Sequence, residues 1–316
     1  MNEKRGNRRR PLSHFWSPNY WYMWLLVGFV RLSCLLPYRT QLRLFKSIGR
    51  LAHRFDTRRR ATARRNVELC FPELSPDERD ALVLAHFESL GASMMELGLA
   101  RWVPKDKIIA MSRVEGAEHL TDAMKQGEPV LLLTGHFTAM ELTVPLMPDT
   151  DTPYYVVFQQ HPNKFLIEFL RTTREGVAKD TIESSDVRRM VRCLRSNAVV
   201  WFAPDQTVRS KQAVLLPFFG EPAMTNTAAS KLATLGNAIA IPYFVRRLPE
   251  GGYVLTFLPR MENFPSDDPV EDTRRYLGIL EEAIRRSPEQ YMWTYRKFKG
   301  RPESLPDAYA NLDALK

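Results

Sequence analysis

The chain has 316 residues, of which 44% are hydrophobic, and it carries a net charge of +9 and three cysteines. This length and hydrophobic content suit a large folded domain and exclude a chain that is disordered throughout. The three cysteines form no CxxC pair, which excludes a disulfide framework and a structural zinc site and predicts a reducing compartment.

The charge and the motif content narrow the classes of partner. The positive charge predicts an anionic partner, and nucleic acid, an anionic membrane and an acidic protein are all consistent with it. The sequence contains no glycine-rich nucleotide motif and no spacing typical of metal ligands. We therefore expect neither a nucleotide cofactor nor a metal.

The first 38 residues combine a basic arm with an apolar segment. Residues 1–19 form the predicted arm, with five basic side chains and one Glu among residues 1–10. Residues 20–38 carry a single charge, Arg31, and have aromatic residues at both ends, which is typical of a membrane-anchoring helix. Its length just reaches that of a bilayer span. The alternatives are a helix lying in the membrane plane and a buried helix of a soluble domain.

A helical pattern over residues 41–69 carries a dense set of arginines. Because this run directly follows the apolar segment, we expect it to contact lipid head groups or an acidic substrate. Nucleic acid is the rival partner, but aromatic residues are not interleaved with the arginines, so we expect no nucleic-acid partner. The cluster consists of Arg54, Arg58, Arg59, Arg60, Arg64 and Arg65.

The remainder of the chain alternates between helical and strand patterns. A capping-box signature begins a helix at Ser75, and His86 on that helix is predicted to be a packing residue. Strands are predicted at residues 130–133, 154–158, 198–203, 238–245 and 253–258, and helices at 163–174, 186–195, 227–235 and 272–286. This order predicts an α/β fold, in which helices flank a mixed β-sheet.

The strongest candidate centre follows the strand at residues 130–133. Gly135 permits a sharp turn, and His136 then lies just past the carboxyl end of a strand, where ligands bind in open α/β sheets. Glu141 is five positions further on, about 140° around an ideal helix, so the two meet only if the chain bends. We expect a helix beginning near Thr138 to direct Glu141 toward the imidazole and fix its tautomer.

A non-catalytic interpretation of the same stretch is also open. Thr138 and Glu141 fit a capping box, and His136 would then be an ordinary half-buried histidine.

Four segments resemble one family of enzymes. Residues 64–73 (RRNVELCFPE), 135–141 (GHFTAME), 204–206 (PDQ) and 216–220 (LPFFG), the last followed by Thr225, resemble the lipid A biosynthesis (late, or secondary) acyltransferases of Gram-negative bacteria. These lauroyl- and myristoyl-type enzymes belong to the wider glycerolipid acyltransferase group. The resemblance spans roughly residues 20–300, and four motifs in this order are specific.

The resemblance implies both an activity and a location. His136 and Glu141 match the His-x4-Asp/Glu signature of the group. The implied reaction transfers a fatty acyl chain from acyl-carrier protein to a hydroxyl of an acyl chain on a lipid A precursor, at the cytoplasmic face of the bacterial inner membrane. Residues 39–316 would form the acyltransferase domain, with His136 as general base, Glu141 supporting it, and no cofactor besides the acyl donor.

Four further residues are candidates for substrate binding. Arg171 and Arg174 resemble an arginine segment of the family, and either could stabilise the oxyanion; the alternative is a solvated helix face. Asp205 and Gln206 follow a predicted strand end and are expected to line the site; the alternative is a structural turn.

Two other functions stay open at this stage. One is a lysophospholipid or glycerol-phosphate type acyltransferase, although residues 219–224 (FGEPAM) stand where such enzymes carry a Glu-Gly-Thr-Arg-type motif. The other is a non-catalytic basic membrane-binding protein with the same fold, in which the arginine cluster would matter and His136 would not.

Overall fold

The computed structural model of the protein describes residues 11–175, 178–207 and 213–312. Most of the predicted basic arm falls on residues 1–10 and lies outside the described residues. The helices are α1 Trp21–Ser33, α2 Tyr38–Phe55, α3 Thr57–Cys70, α4 Pro76–Trp102, α5 Lys105–Ala110, α6 Ala117–Lys125, α7 Thr143–Leu146, α8 Lys164–Arg174, α9 Val187–Arg195, α10 Ala228–Gly236 and α11 Pro269–Arg286.

A seven-stranded sheet runs through the molecule in the order β1-β9-β8-β2-β5-β3-β4. Its neighbouring strands pair in parallel except β8 and β9, which form an antiparallel hairpin, so the predicted mixed sheet is confirmed. A separate hairpin joins β6 and β7. The strands are β1 Ser112–Glu115, β2 Val130–Leu133, β3 Tyr154–Phe158, β4 Asp180–Glu183, β5 Val199–Phe202, β6 Ala213–Phe218, β7 Glu221–Asn226, β8 Ile239–Arg247 and β9 Tyr253–Phe257.

Strand β2 lies in the middle of the sheet and separates two hydrophobic layers. All four of its side chains are 0% exposed. Leu131 and Leu133 pack into the layer that includes Leu280 of α11, whereas Val130 and Leu132 pack into the layer that includes Leu120 of α6. A continuous apolar run is what a strand covered on both faces requires, which explains why the sequence predicted its bounds correctly.

The N-terminal apolar segment does not form the single helix predicted over residues 20–38, because its helix covers residues 21–33 only. Helix α1 ends at Ser33, and α2 begins directly after Pro37, which cannot continue a helix from the preceding turn. Thirteen helical residues extend about 20 Å, against about 30 Å of hydrocarbon. Within the part of the chain that the structure describes, no helix has the length and apolar character to cross a membrane.

Helix α1 buries one side and leaves the other uncovered. Met23 and Val30 are buried, whereas Leu25 and Leu32 are 75% and 67% exposed, and Leu35, two residues after the helix, is 83% exposed. The preceding residues pack on α8 through aromatic rings that include Phe15.

The basic stretch predicted over residues 41–69 also divides into two helices. The break lies at Asp56, whose side chain accepts a hydrogen bond from the backbone N–H of Arg59 and caps α3. The capping box at Ser75 and Glu78 is confirmed at the start of α4. His86 is fully buried, as predicted, and burial lowers its pKa to about 4.

Asn66 of α3 holds the C-terminal segment, residues 291–309, against the domain. Its amide nitrogen donates to the backbone oxygens of Trp293 and Tyr295, at 2.6 and 2.7 Å, and its oxygen accepts from the hydroxyl of Tyr309. Asn66 is 0% exposed, and these bonds satisfy its buried amide. The sequence between Trp293 and Tyr309 is thereby fixed close to the carboxyl edge of the sheet.

Helices α2 and α4 approach each other backbone to backbone at two glycines. A Cβ added at Gly49 would lie 2.1 Å from the backbone oxygen of Phe87, and one added at Gly91 would lie 2.1 Å from that of Phe45. Real Cβ atoms do not come this close, so any side chain at either position would force the helices apart.

We expect Gly91→Ala to lower the free energy of unfolding by roughly 1–3 kcal/mol, because the added methyl group overpacks the crossing. Gly278→Ala is the matched control: it lies inside α11 with nothing within 4 Å of the added Cβ. There, alanine should stabilise the helix by about 0.5–1 kcal/mol. Urea unfolding of the purified variants measures both effects, and equal stabilities would contradict the close crossing.

Candidate functional site

His136 lies just beyond the carboxyl end of β2, as predicted. The chain turns sharply there: the backbone N–H of Phe137 donates to the oxygen of Gly135 at 3.0 Å. A side chain at Gly135 would meet Leu280, since its Cβ would lie 2.5 Å from that residue's Cδ1. The backbone oxygen of His136 accepts from the N–H of Met292 at 3.0 Å. Glycine therefore permits the turn, and the C-terminal segment holds it.

A single carboxylate binds both the ring and the backbone of His136. Nδ1 of His136 lies 2.5 Å from Oδ1 of Asp205, and the His136 N–H donates to Oδ2 at 2.9 Å. Asp205 is 1% exposed, whereas the His136 side chain is 24% exposed. The two meet because the neighbouring parallel strands β2 and β5 end at the same edge of the sheet. A carboxylate at Nδ1 favours the tautomer that leaves Nε2 free to accept a proton.

Asp205 has two further partners from the C-terminal segment. The Tyr291 hydroxyl donates to Oδ2 at 3.0 Å, and Nζ of Lys297 donates to the backbone oxygen at 2.7 Å. Burial alone would raise the pKa of Asp205, but the His136 ring, its hydrogen bonds and the Lys297 ammonium lower it below its usual value. Asp205 is therefore ionised at neutral pH. Burial lowers the pKa of Lys297 to about 8.

Glu141 does not make the predicted contact with the imidazole. It pairs with Arg174: Nε lies 3.1 Å from Oε2, and Nη2 lies 2.5 Å from Oε1. The predicted geometry is wrong because no α-helix begins at Thr138. Its hydroxyl instead hydrogen-bonds that of Ser89 at 2.7 Å, and a short 3-10 helix, Met140–Leu142, carries Glu141.

The two arginines of α8 have different surroundings. Arg174 reaches Glu141, and both side chains are 12% exposed. Burial would lower the pKa of Arg174, but the Glu141 carboxylate raises it, so the guanidinium stays charged. Arg171 instead pairs with Glu168 and Glu175 of its own segment. Of the two predicted candidates, the structure thus brings Arg174 to Glu141 and leaves Arg171 in an ion network on α8.

Described residues line two cavities that adjoin this edge of the sheet. The smaller, of about 30 Å³, is lined by Thr134, Met140, Val156, Val157, Arg174, Trp201, Phe202, Ala203 and Tyr243. The indole N–H of Trp201 is buried there and has no hydrogen-bond partner among the described residues. The larger cavity, of about 700 Å³, borders Gln206, which follows Asp205 in the chain.

The arrangement suits proton transfer at a polar edge of the sheet. His136 can accept a proton at Nε2, Asp205 can stabilise the resulting imidazolium, and Arg174 can interact with negative charge. Within residues 11–175, 178–207 and 213–312, no group of three His, Cys, Asp or Glu side chains is placed to hold a metal ion.

Sequence reasoning missed Tyr291 and Lys297. Both approach Asp205 from a segment far along the chain, and no motif or spacing connects them with His136.

Residues 10–300 match the family model described as bacterial lipid A biosynthesis acyltransferase. The chain is 38% identical over 296 residues to the lipid A biosynthesis lauroyltransferase of Escherichia coli (strain K12), covering 92% of this chain and 96% of that protein. It is 35% identical over 299 residues to the palmitoleoyltransferase of the same organism, covering 93% and 96%.

Among solved structures, the 1-acyl-sn-glycerophosphate acyltransferase PlsC of Thermotoga maritima aligns with 81% of this chain and 99% of its own. The TM-score is 0.38 and the sequence identity is 11%.

We expect Asp205→Asn to lower the kcat of acyl transfer roughly 10²–10⁴-fold, because an amide neither holds the required tautomer nor stabilises the imidazolium. Asp151→Asn, at an exposed position, is the matched control and should keep the wild-type kcat. Steady-state assays of purified protein with matching circular dichroism spectra measure the difference. Retention of kcat within about threefold in Asp205→Asn would contradict the role of Asp205 as the group that orients and stabilises the His136 ring.

Proposed function

The chain belongs to the bacterial lipid A biosynthesis acyltransferases, and from this we propose that it transfers a fatty acyl chain from acyl-carrier protein to a hydroxyl of an acyl chain on a lipid A precursor. The observation that carries the proposed mechanism is the pairing of His136 with the buried carboxylate of Asp205.

In the proposed reaction His136 acts as general base. Nε2 takes the proton from the acceptor hydroxyl as its oxygen attacks the thioester carbonyl. The tetrahedral intermediate then collapses, the carbon–sulfur bond breaks, and the imidazolium returns the proton to the departing sulfur. Asp205 holds the ring in position and stabilises its charge throughout. Both substrates react directly, so no acyl-enzyme forms.

Arg174 is the proposed stabiliser of the oxyanion, and Glu141 acts through it. Glu141 fixes the guanidinium through two hydrogen bonds and keeps it charged. Arg174 also lines the small cavity beside Thr134 and Trp201 at the strand ends. A charged donor positioned before the reaction stabilises developing negative charge without reorganisation. In this mechanism Glu141 contributes to catalysis as a positioning residue, and His136 does not depend on it.

We propose that the enzyme lies on the cytoplasmic face of the inner membrane, with α1 in the membrane plane. The exposed apolar side chains of residues 21–36 suit this position, and those of Leu25, Phe29, Leu32 and Leu35 are 75%, 40%, 67% and 83% exposed. Neighbouring exposed apolar side chains of this kind are typical of a surface that binds a membrane or another protein. Arg31 is exposed among them and can reach anionic head groups.

Acyl-carrier protein, the proposed acyl donor, is acidic, so we expect it to approach a basic surface of the enzyme. Helix α9 starts just after β4 ends and exposes Arg188, Arg192 and Arg195, which are spaced to share one helix face. The predicted arginine cluster, which lies on α3 except for Arg54, is partly neutralised, since Arg59, Arg64 and Arg65 pair with carboxylates. The α9 face is therefore the better candidate for an electrostatic approach of acyl-carrier protein.

Mass spectrometry of lipid A from cells with and without the protein tests the proposed function. Deletion should remove one acyl chain. Wild type should restore it and His136→Ala should not, because the base is missing. His119→Ala, on α6, is the matched control and should restore the chain as wild type does.

Two outcomes would contradict the proposal. Unchanged lipid A after deletion would point to another lipid acceptor, such as a lysophospholipid or glycerol phosphate. Full restoration by His136→Ala would favour the non-catalytic alternative.

A further inference from the structure

The larger cavity at the carboxyl edge of the sheet has a polar wall that the proposed chemistry does not use. Its volume is about 700 Å³, within the usual range for small-molecule sites. We call it the carboxamide cavity, because carboxamides and hydroxyls line it: Gln159, Gln160, Gln206, Asn226, Ser184 and Thr207.

The carboxamide cavity lies directly beside the segment that carries the partner of His136. It is formed where β3, β4 and β5 end, and its wall includes Ala203, Pro204 and Gln206, which flank Asp205. Phe202 and Ala203 also line the small cavity that Arg174 borders. A ligand in the carboxamide cavity would therefore be held next to the proposed reacting centre.

Some of the wall is free to bind a ligand. The side chains of Gln159 and Gln206 have no hydrogen-bond partner among the described residues, whereas the amide nitrogen of Gln160 donates to Glu183 at 3.0 Å. The Tyr295 ring supplies apolar surface on the same wall. A free carboxamide both donates and accepts, which is what the hydroxyls of a sugar ring require.

The wall chemistry disfavours other parts of the substrates. A hydrocarbon chain would leave the carboxamides unpaired, which costs free energy. Among the described residues that line the cavity, Lys299 is the one cation, which gives a phosphate little to bind. The arm of acyl-carrier protein that carries the thioester is extended and narrow, whereas a cavity of about 700 Å³ accommodates a ring system.

We propose that the carboxamide cavity binds the saccharide head of the acceptor glycolipid and thereby sets which hydroxyl reaches His136. This inference rests on the proposed function, because it assumes that the acceptor is a lipid A precursor.

Gln159→Leu tests the proposal, since it keeps most of the side-chain volume and removes the hydrogen-bonding groups. Gln159 is exposed and unpaired, so the fold should not change. We expect the KM for the acceptor to rise roughly 5–10-fold, with kcat and the KM for acyl-carrier protein within about twofold of wild type. Gln126→Leu, at an exposed position after α6, is the matched control and should leave all three unchanged.

A second measurement uses the saccharide obtained by removing all acyl chains from the acceptor. It should inhibit the wild type competitively against the acceptor, and more weakly in Gln159→Leu. An unchanged acceptor KM in Gln159→Leu would overturn the proposal, and so would a rise confined to the KM for acyl-carrier protein, which would place the donor in the cavity. Failure of the proposed function would look different, because wild type would then transfer no acyl chain to lipid A.

Discussion

The buried carboxylate of Asp205 is the constraint around which the site is built. Removing a charge from water is costly unless partners compensate it, and here four groups do so: the ring and the N–H of His136, the hydroxyl of Tyr291 and the ammonium of Lys297. They come from the end of β2 and from the C-terminal segment. Asn66 on α3 anchors that segment, so a motif remote from His136 still contributes to its placement.

The second ion pair, Glu141 with Arg174, places a cation at the same edge of the sheet. Because both groups are largely buried, removing Glu141 would leave a guanidinium without its counter-ion, at a cost of roughly 3–5 kcal/mol for a fully buried pair. A Glu141 variant therefore combines loss of stability with loss of positioning. The two residues of the His-x4-Glu spacing thus bind different partners: His136 binds Asp205, and Glu141 binds Arg174.

Local patterns predicted the elements better than their contacts. The bounds of β2 and β3 were correct because an apolar run between turn residues is a local property. The partner of His136 was not predictable, since Asp205 lies 69 residues away and the pairing depends on β2 and β5 being neighbours. The bounds of the N-terminal helix were predicted incorrectly for a different reason: hydrophobic content alone does not show that the helix ends at Ser33, ahead of Pro37.

The tautomer of His136 tests the central claim most directly. Nitrogen NMR of protein labelled at its histidines should show the His136 proton on Nδ1 and none on Nε2. That signal should be lost in Asp205→Asn and kept in Glu141→Gln, since Asp205 is the group that binds Nδ1. A proton on Nε2 in the wild type, or an Nδ1 signal that depends on Glu141 and not on Asp205, would contradict the account.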